Sequence, residues 1–281
     1  MRAFALLFVL LAAGGPAAAD PLAALRQGES ASVIEVVDGD TVVLNRAING
    51  AMQVRLVGLQ APKLPLGRKN FPVWPLAEAS KNALESLVLD RKVTLYFGGN
   101  EMDRHGRLLA HLFLDGGRWV QCGMLRMGMA RVYTFADNRA VAEDMYEIER
   151  AARSAHRGIW GLRFYALRTP DQTAGHIGTF QIVEGRVLAA AKVKGRVYLN
   201  FGEDWRTDFT VTLPAATLRM FGDLGRDPLA LEGRRIRVRG WLKKRNGSMI
   251  QASHPEQIEV IEPKHAAVLP NATAGFIIKR P

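Results

Sequence analysis

The sequence predicts a mainly β chain with a few helices, of the α+β class, carrying two five-stranded barrels in tandem. Three observations predict it. Short segments that alternate apolar and polar residues recur along the chain, as half-buried strands do. The order three strands, one helix, two strands occurs twice, which is the element order of a five-stranded OB-type barrel. Between the two blocks lies Leu162 to Gly178, with Pro170, Gly175 and mixed polar residues, a natural boundary. No sequence repeat relates the blocks, so what they share is architecture.

In the first block SVIEVV from Ser32, TVVLN after the turn Asp38-Gly39-Asp40, and MQVRLV read as strands. Met52, Val54 and Leu56 share one face of the third, so Gln53 and Arg55 point to the other. Leu76 to Leu89 lacks Gly and Pro and lines up Leu76, Ala79, Ala83, Leu87 and Val88, which predicts a helix after the Pro-rich loop APKLPLGRKNFPVWP. KVTLYF and RLLAHLFL complete the block, with the turn DRHGR between them. A short helix is expected around Val120 to Met129. A long one is expected from about Asn138 to Ile159, with Asp137 as its N-cap and Val141, Met145, Ile148, Ala152, Ala155 and Ile159 on one stripe. The second block runs TFQIVEGRVLAA, GRVYLNFG and DFTVTLP, a helix from Ala215 to Phe221, then RRIRVRGWLKKR and SMIQASHPEQIEVIE. The expected domains are 32–163 and 177–263, followed by a loosely ordered tail at 264–281.

The first residues, MRAFALLFVLLAAGGPAAAD, join a lone Arg2 to an apolar run and to Ala17 and Ala19, the pattern of a secretory signal peptide over residues 1–19. The apolar run is short for a bilayer span, and no later segment is apolar enough to cross one. The reading is therefore a periplasmic or secreted protein. Removing Arg2 takes Lys+Arg from 38 to 37 against 27 acids, so the formal charge falls from +11 to +10. Such an excess suits polyanionic partners, nucleic acid or an anionic surface, without demanding them. Cys122 is the single cysteine, so no intramolecular disulfide exists and stability rests on packing. No Cys/His cluster has zinc-ligand spacing, and no small-molecule cofactor is evident.

Three stretches carry the chemistry: VVDGDTVVLN, VRLVGLQAPK and DRHGRLLAHLF. Alone, Asp38-Gly39-Asp40-Thr41 is an ordinary hairpin turn. Together with GMLRMGMARVY and HRGIW, in order, they make the chain resemble the thermonuclease, or staphylococcal nuclease-like, family over about Ser32 to Gly161. The resemblance implies an OB barrel that holds calcium between acidic residues, a glutamate that activates water, two arginines on the phosphate, and hydrolysis of DNA or RNA. It puts Asp40 on the first calcium carboxylate, Asp38 on its neighbour, and Arg55 and Arg107 on the two phosphate arginines. Where the family reads Asp-Thr-Pro-Glu, this chain reads Gln60-Ala61-Pro62-Lys63. Gln60 stands in place of a second calcium carboxylate and Lys63 in place of the general base.

Each exchange has a physical consequence. An amide carbonyl can still ligate calcium, but the lost charge weakens the site, and Lys63 adds a positive charge beside it. A protonated lysine takes no proton from water, and loss of a general base costs ~10²- to 10⁴-fold in rate. Lys63, Arg55 and Arg107 together suit a phosphate better than a metal. The bland reading pairs the arginines with Asp38, Asp40 or Asp103. Glu78 is a further carboxylate, on the expected helix. Tyr133 and Phe135 are either base-stacking platforms or core. Arg235, Arg237 and Arg239 alternate with Ile236 and Val238 and so share the outer face of one strand, continued by Lys243, Lys244 and Arg245. That stripe is either a solvated wall or a nucleic-acid backbone site. The reading is thus an exported member of the family acting on nucleic acid, with weakened calcium binding and hydrolysis slowed or altered. The alternatives are a binding module without turnover and an envelope protein-interaction module.

Overall fold

The computed structural model describes residues 21–261. The signal peptide expected at 1–19 and the tail expected at 264–281 lie outside the described residues. Strands β1 (Arg26–Asp38), β2 (Thr41–Ile48) and β3 (Ala51–Leu56) form an antiparallel meander, and β4 (Gly58–Gln60) follows at once. After α1 (Ala77–Val88) come β5 (Lys92–Phe97), antiparallel to β1, and β6 (Leu108–Leu114), antiparallel to β5. A parallel pairing of β3 with β6, Val54 opposite Leu108, closes the five strands into a barrel. Val33, Val42, Leu44, Val54, Leu56, Val93, Leu95 and Leu112 fill it, all fully buried. This is the expected α+β class with a closed N-terminal barrel.

β1 begins at Arg26, before the Ser32 expected from the sequence. Its extra residues RQGESA are small or polar and show no apolar alternation, and they are a strand because they pair with β5, Arg26 opposite Phe97 and Ser30 opposite Thr94. β7 (Arg118–Trp119) extends the sheet and leads into α2 (Val120–Arg126). β8 (Arg131–Tyr133) pairs with β4, Gln60 opposite Arg131, a ribbon too short to show any period in the sequence. The long helix is shorter than expected at both ends. It is α3 (Ala142–Ser154), and its N-cap is Val141 with no side-chain cap, while Asp137 instead accepts a hydrogen bond from Asn100. His156, at φ 51°, turns the chain out of the helix, and Ile159 packs from the tight turn beyond.

The C-terminal unit holds β9 (Phe180–Arg186), β10 (Ala189–Val193), β11 (Arg196–Asn200), β12 (Thr210–Leu213), α4 (Ala215–Asp223), β13 (Arg235–Lys244), β14 (Ser248–Gln251) and β15 (Ile258–Val260). These strands form a second sheet in the order β10-β11-β12-β14-β13-β15, with β9 also on β13 and β12 parallel to β14. TFQIVEGRVLAA is therefore two strands with different partners, broken at Val187 and Leu188. SMIQASHPEQIEVIE likewise splits into β14 and β15 around the turn Pro255–Gln257. Among the described residues no helix is long and apolar enough to cross a membrane.

Candidate functional site

Asp38 ends β1 and Asp40 precedes β2, so one hairpin turn presents both carboxylates. Gly39 lies between them because α1 leaves no room for a side chain: a Cβ there would stand 2.0 Å from Ser80 Oγ and 2.8 Å from Ala61 Cβ. The Asp40 amide donates to Asp38 Oδ1 at 3.1 Å, and the Ala61 amide donates to Asp40 Oδ2 at 2.8 Å. From β3, Arg55 reaches Asp40 Oδ2 at 3.2 Å and donates to the carbonyls of Asp40, Leu56 and Leu59. Lys63 completes the cluster. Its Nζ lies 2.7 and 2.6 Å from the two Asp40 oxygens and 3.1 Å from Asp38 Oδ2.

The cluster balances two carboxylates against two cations. Burial pushes the Asp40 carboxyl up, but Arg55 and Lys63 outweigh it and hold it well below the ordinary range. Burial and the Asp40 charge together push Asp38 up, against the pull of Lys63. Asp40 is thus the firm anion of the pair. Lys63 donates to three carboxylate oxygens, an arrangement that holds an ammonium and leaves it no lone pair with which to draw a proton from water.

The calcium implied by the resemblance can be tested against these residues. Calcium takes six to eight oxygen ligands, carboxylates foremost. Both carboxylates here are already engaged by Lys63 and Arg55. The Gln60 Oε1 accepts from Arg131 Nε and Nη2 at 2.8 and 2.6 Å, so it is turned from the cluster toward a buried guanidinium. Among the described residues no group of three or more His, Cys, Asp or Glu could hold a metal. The residues present do not fit calcium, and the expected weakened site is, in this arrangement, filled by Lys63.

Arg107 binds Asp103, with Nη2 at 2.6 Å and Nε at 2.8 Å from one carboxylate oxygen, in the turn before β6. It immediately precedes β6, whose first residue Leu108 lies opposite Val54, the neighbour of Arg55 on β3. No hydrogen bond or ion pair joins it to the cluster among the described residues. Glu78 is exposed in the first turn of α1 and supplies no carboxylate to the cluster.

The second group of expected residues does other work. Arg239 is buried at 1 % exposure, bound by Glu149 at 3.1 Å and Glu259 at 2.6 Å, with its guanidinium 4.2 Å from the centre of the Tyr146 ring. Arg237 is half-buried between Glu184 at 2.8 Å and Glu259 at 3.6 Å, and the exposed Arg235 also holds Glu184. The expectation that all three face solvent is corrected at Arg239 and Arg237. α3, β15 and the neighbouring β9 supply the carboxylates, Glu149, Glu259 and Glu184 in turn. Tyr133 packs on Phe180 at 4.8 Å and accepts from Trp241 Nε1 at 3.0 Å, so it joins the two units. The sequence reading missed Glu149, which is fully buried. Its signal is there: a charged residue four after Met145 and three before Ala152, on the apolar stripe of α3.

The staphylococcal nuclease homologue family model matches residues 53–161, from β3 to the turn after α3. An endonuclease of Escherichia coli, itself uncharacterized, is 31 % identical over 129 residues, which are 46 % of this chain and 74 % of that protein. The chain belongs to the staphylococcal nuclease family. The thermonuclease of Staphylococcus hyicus is 28 % identical over 129 residues, 46 % of this chain and 73 % of its own. The SPbeta prophage-derived endonuclease YokF of Bacillus subtilis is 33 % identical over 132 residues, 46 % of this chain and 43 % of its own. The family match ends before β9, so the second sheet lies beyond it. Within the family frame, Lys63 carries its charge into the space between Asp38 and Asp40.

Proposed function

We propose that this protein is an exported nucleic-acid-binding member of the nuclease family in which phosphodiester hydrolysis at the barrel site is held off by Lys63. The observation that carries the reading is the Lys63 ammonium bonded to both Asp40 oxygens and to Asp38. The site then has no free carboxylate to activate water, and no uncompensated negative charge to draw a divalent cation. Nucleic acid as the partner class rests on the family and on the formal charge of +11. Export rests on the leader pattern of residues 1–19. We propose further that 177–263 is an OB-like domain. The antiparallel β9–β13, β10–β11 and β13–β14 pairs and the parallel β12–β14 pair support it, because they repeat the pairing order of the first barrel when β9 and β10 are taken as one bent strand.

The test is a binding and cleavage assay on the mature chain with single-stranded DNA, in calcium and in chelator. The expected result is binding that weakens steeply with salt and no cleavage in either condition. Cleavage in calcium that chelator abolishes would overturn the proposal, and so would the absence of binding at low salt.

A further inference from the structure

The carboxylates that occupy β13 stop at Arg239. Beyond it, Lys243, Lys244 and Arg245 are exposed, and none is ion-paired among the described residues. Lys243 pairs with Met249 of β14, which sets it on the outer face of the sheet. The same face carries Arg196, Tyr198 and Asn200 of β11 and Thr210 and Thr212 of β12, because their neighbours Val197, Leu199 and Val211 fill the core. A cavity of about 460 Å³ opens there, lined by Tyr198, Asn200, Trp205, Thr212, Arg245 and Met249 among others.

Trp205 is 53 % exposed, on the loop between β11 and β12, with the Arg206 guanidinium 5.0 Å from its ring centre. An exposed indole face beside the cations Lys243 and Arg245 of the same face suits a ligand that is both flat and anionic. Lys194, Arg196, Arg206, Lys243 and Arg245 lie on this face or in the turns beside it, against Glu203, Asp204 and Asp208, so the local balance is five cations to three acids, while Lys192 and Lys244, opposite Val197 and Ser248, fall on the other face of their strands. Asp208 is partly engaged by the Gly202 amide at 2.7 Å, and Asp204 lies 3.9 Å from Arg206. Asn246 and the half-buried Asn200 add amide groups that can meet base edges, while Thr210 and Thr212 are buried beneath them and Thr210 donates to Asn200 and Asp208.

We propose that this face of the second sheet binds single-stranded nucleic acid, with Trp205 and Tyr198 stacking on exposed bases and Lys194, Lys243 and Arg245 holding the adjoining phosphates. A single strand is specified because a duplex hides the base faces that Trp205 would cover. The proposal shares a partner class with the reading of the barrel site but uses none of its residues.

The experiment measures anisotropy of a labelled oligothymidylate with the full mature chain, in chelator, over a series of salt concentrations. Trp205→Ala should weaken binding about 10-fold or more, and Trp205→Phe should restore most of it. Lys243→Ala with Arg245→Ala should lower the slope of log affinity against log salt by about 1.4. All of these positions are exposed, and unchanged melting curves would show that the variants fold. Unchanged affinity and slope in folded variants would overturn the proposal, as would a duplex of equal length competing as well as the single strand. Because binding is read in chelator, cleavage by the parent in calcium would sink the reading of Lys63 while leaving this face standing.

Discussion

A lysine ammonium and a calcium ion satisfy the same carboxylates, but the ammonium is tethered and carries half the charge. Lys63 therefore neutralises Asp38 and Asp40 without offering a coordination site to a substrate oxygen. Lys63→Met would leave Asp38 and Asp40 buried with Arg55 alone, a loss of about 3 kcal/mol, the low end for breaking a buried pair because Arg55 remains. Urea unfolding at neutral pH measures it. Lys63→Glu should bind calcium more tightly than the parent, read by titration calorimetry. Adding Gln60→Asp should contribute little more, because that side chain faces Arg131. A double variant that binds calcium far more tightly than Lys63→Glu would show Gln60 free to turn toward the cluster.

Turn and helix hold this cluster together through one close approach. Gly39 of the β1–β2 turn lies against Ser80 and Ala61, and Ser80 Oγ donates to the Met129 carbonyl at 2.7 Å, fastening α1 to the loop before β8. Gly39→Ala must push α1 outward or tilt the turn. The expected cost is about 1–3 kcal/mol, the range for overpacking, visible as a lower melting temperature. A variant as stable as the parent would mean that α1 gives way without cost.

Across the whole molecule, Glu149 of α3, Arg239 of β13 and Glu259 of β15 form a buried network between the two units, with Arg139 and Glu256 paired nearby. Arg239→Ala should cost about 3 kcal/mol, the low end for breaking a buried pair, because Glu149 keeps Arg153 at 2.8 Å and the Val132 amide at 2.6 Å. Its unfolding should separate into two transitions, where one is expected of the parent. His254 lies in the same interface, hydrogen-bonded to Thr134 at 2.7 Å, and burial with Arg139 and Arg239 pushes its pKa down to about 4. Burial alone pushes His111 down to about 3. A lowered histidine pKa means that the unfolded chain binds protons more readily, so stability is complete above about pH 6.5 and falls as pH drops toward 4. His254→Gln should flatten part of that fall, and an unchanged slope would remove His254 as its cause.

By itself the sequence determined the α+β class, the first barrel's strands, the position of α1, and the family, because alternation, turn chemistry and motif order are properties of neighbouring residues. The resemblance it carries also marked Asp38, Asp40, Arg55, Gln60, Lys63 and Arg107 as one constellation, of which the fold joins Asp38, Asp40, Arg55 and Lys63 and leaves Gln60 on Arg131 and Arg107 on Asp103. What it could not determine was who partners whom. The stripe Arg235, Arg237, Arg239 alternates like a solvent-facing wall whether water or α3 covers it, and only packing brought Glu149, ninety residues earlier, onto Arg239. The ribbon β4–β8 is likewise two three-residue segments that become strands only when the fold aligns Gln60 with Arg131. Lys63 had two roles open, a phosphate cation or a damaged base. The tertiary structure settled its partners by carrying its ammonium to Asp40, because a buried charge takes the nearest opposite charge the fold supplies, and distance in the chain does not limit that choice.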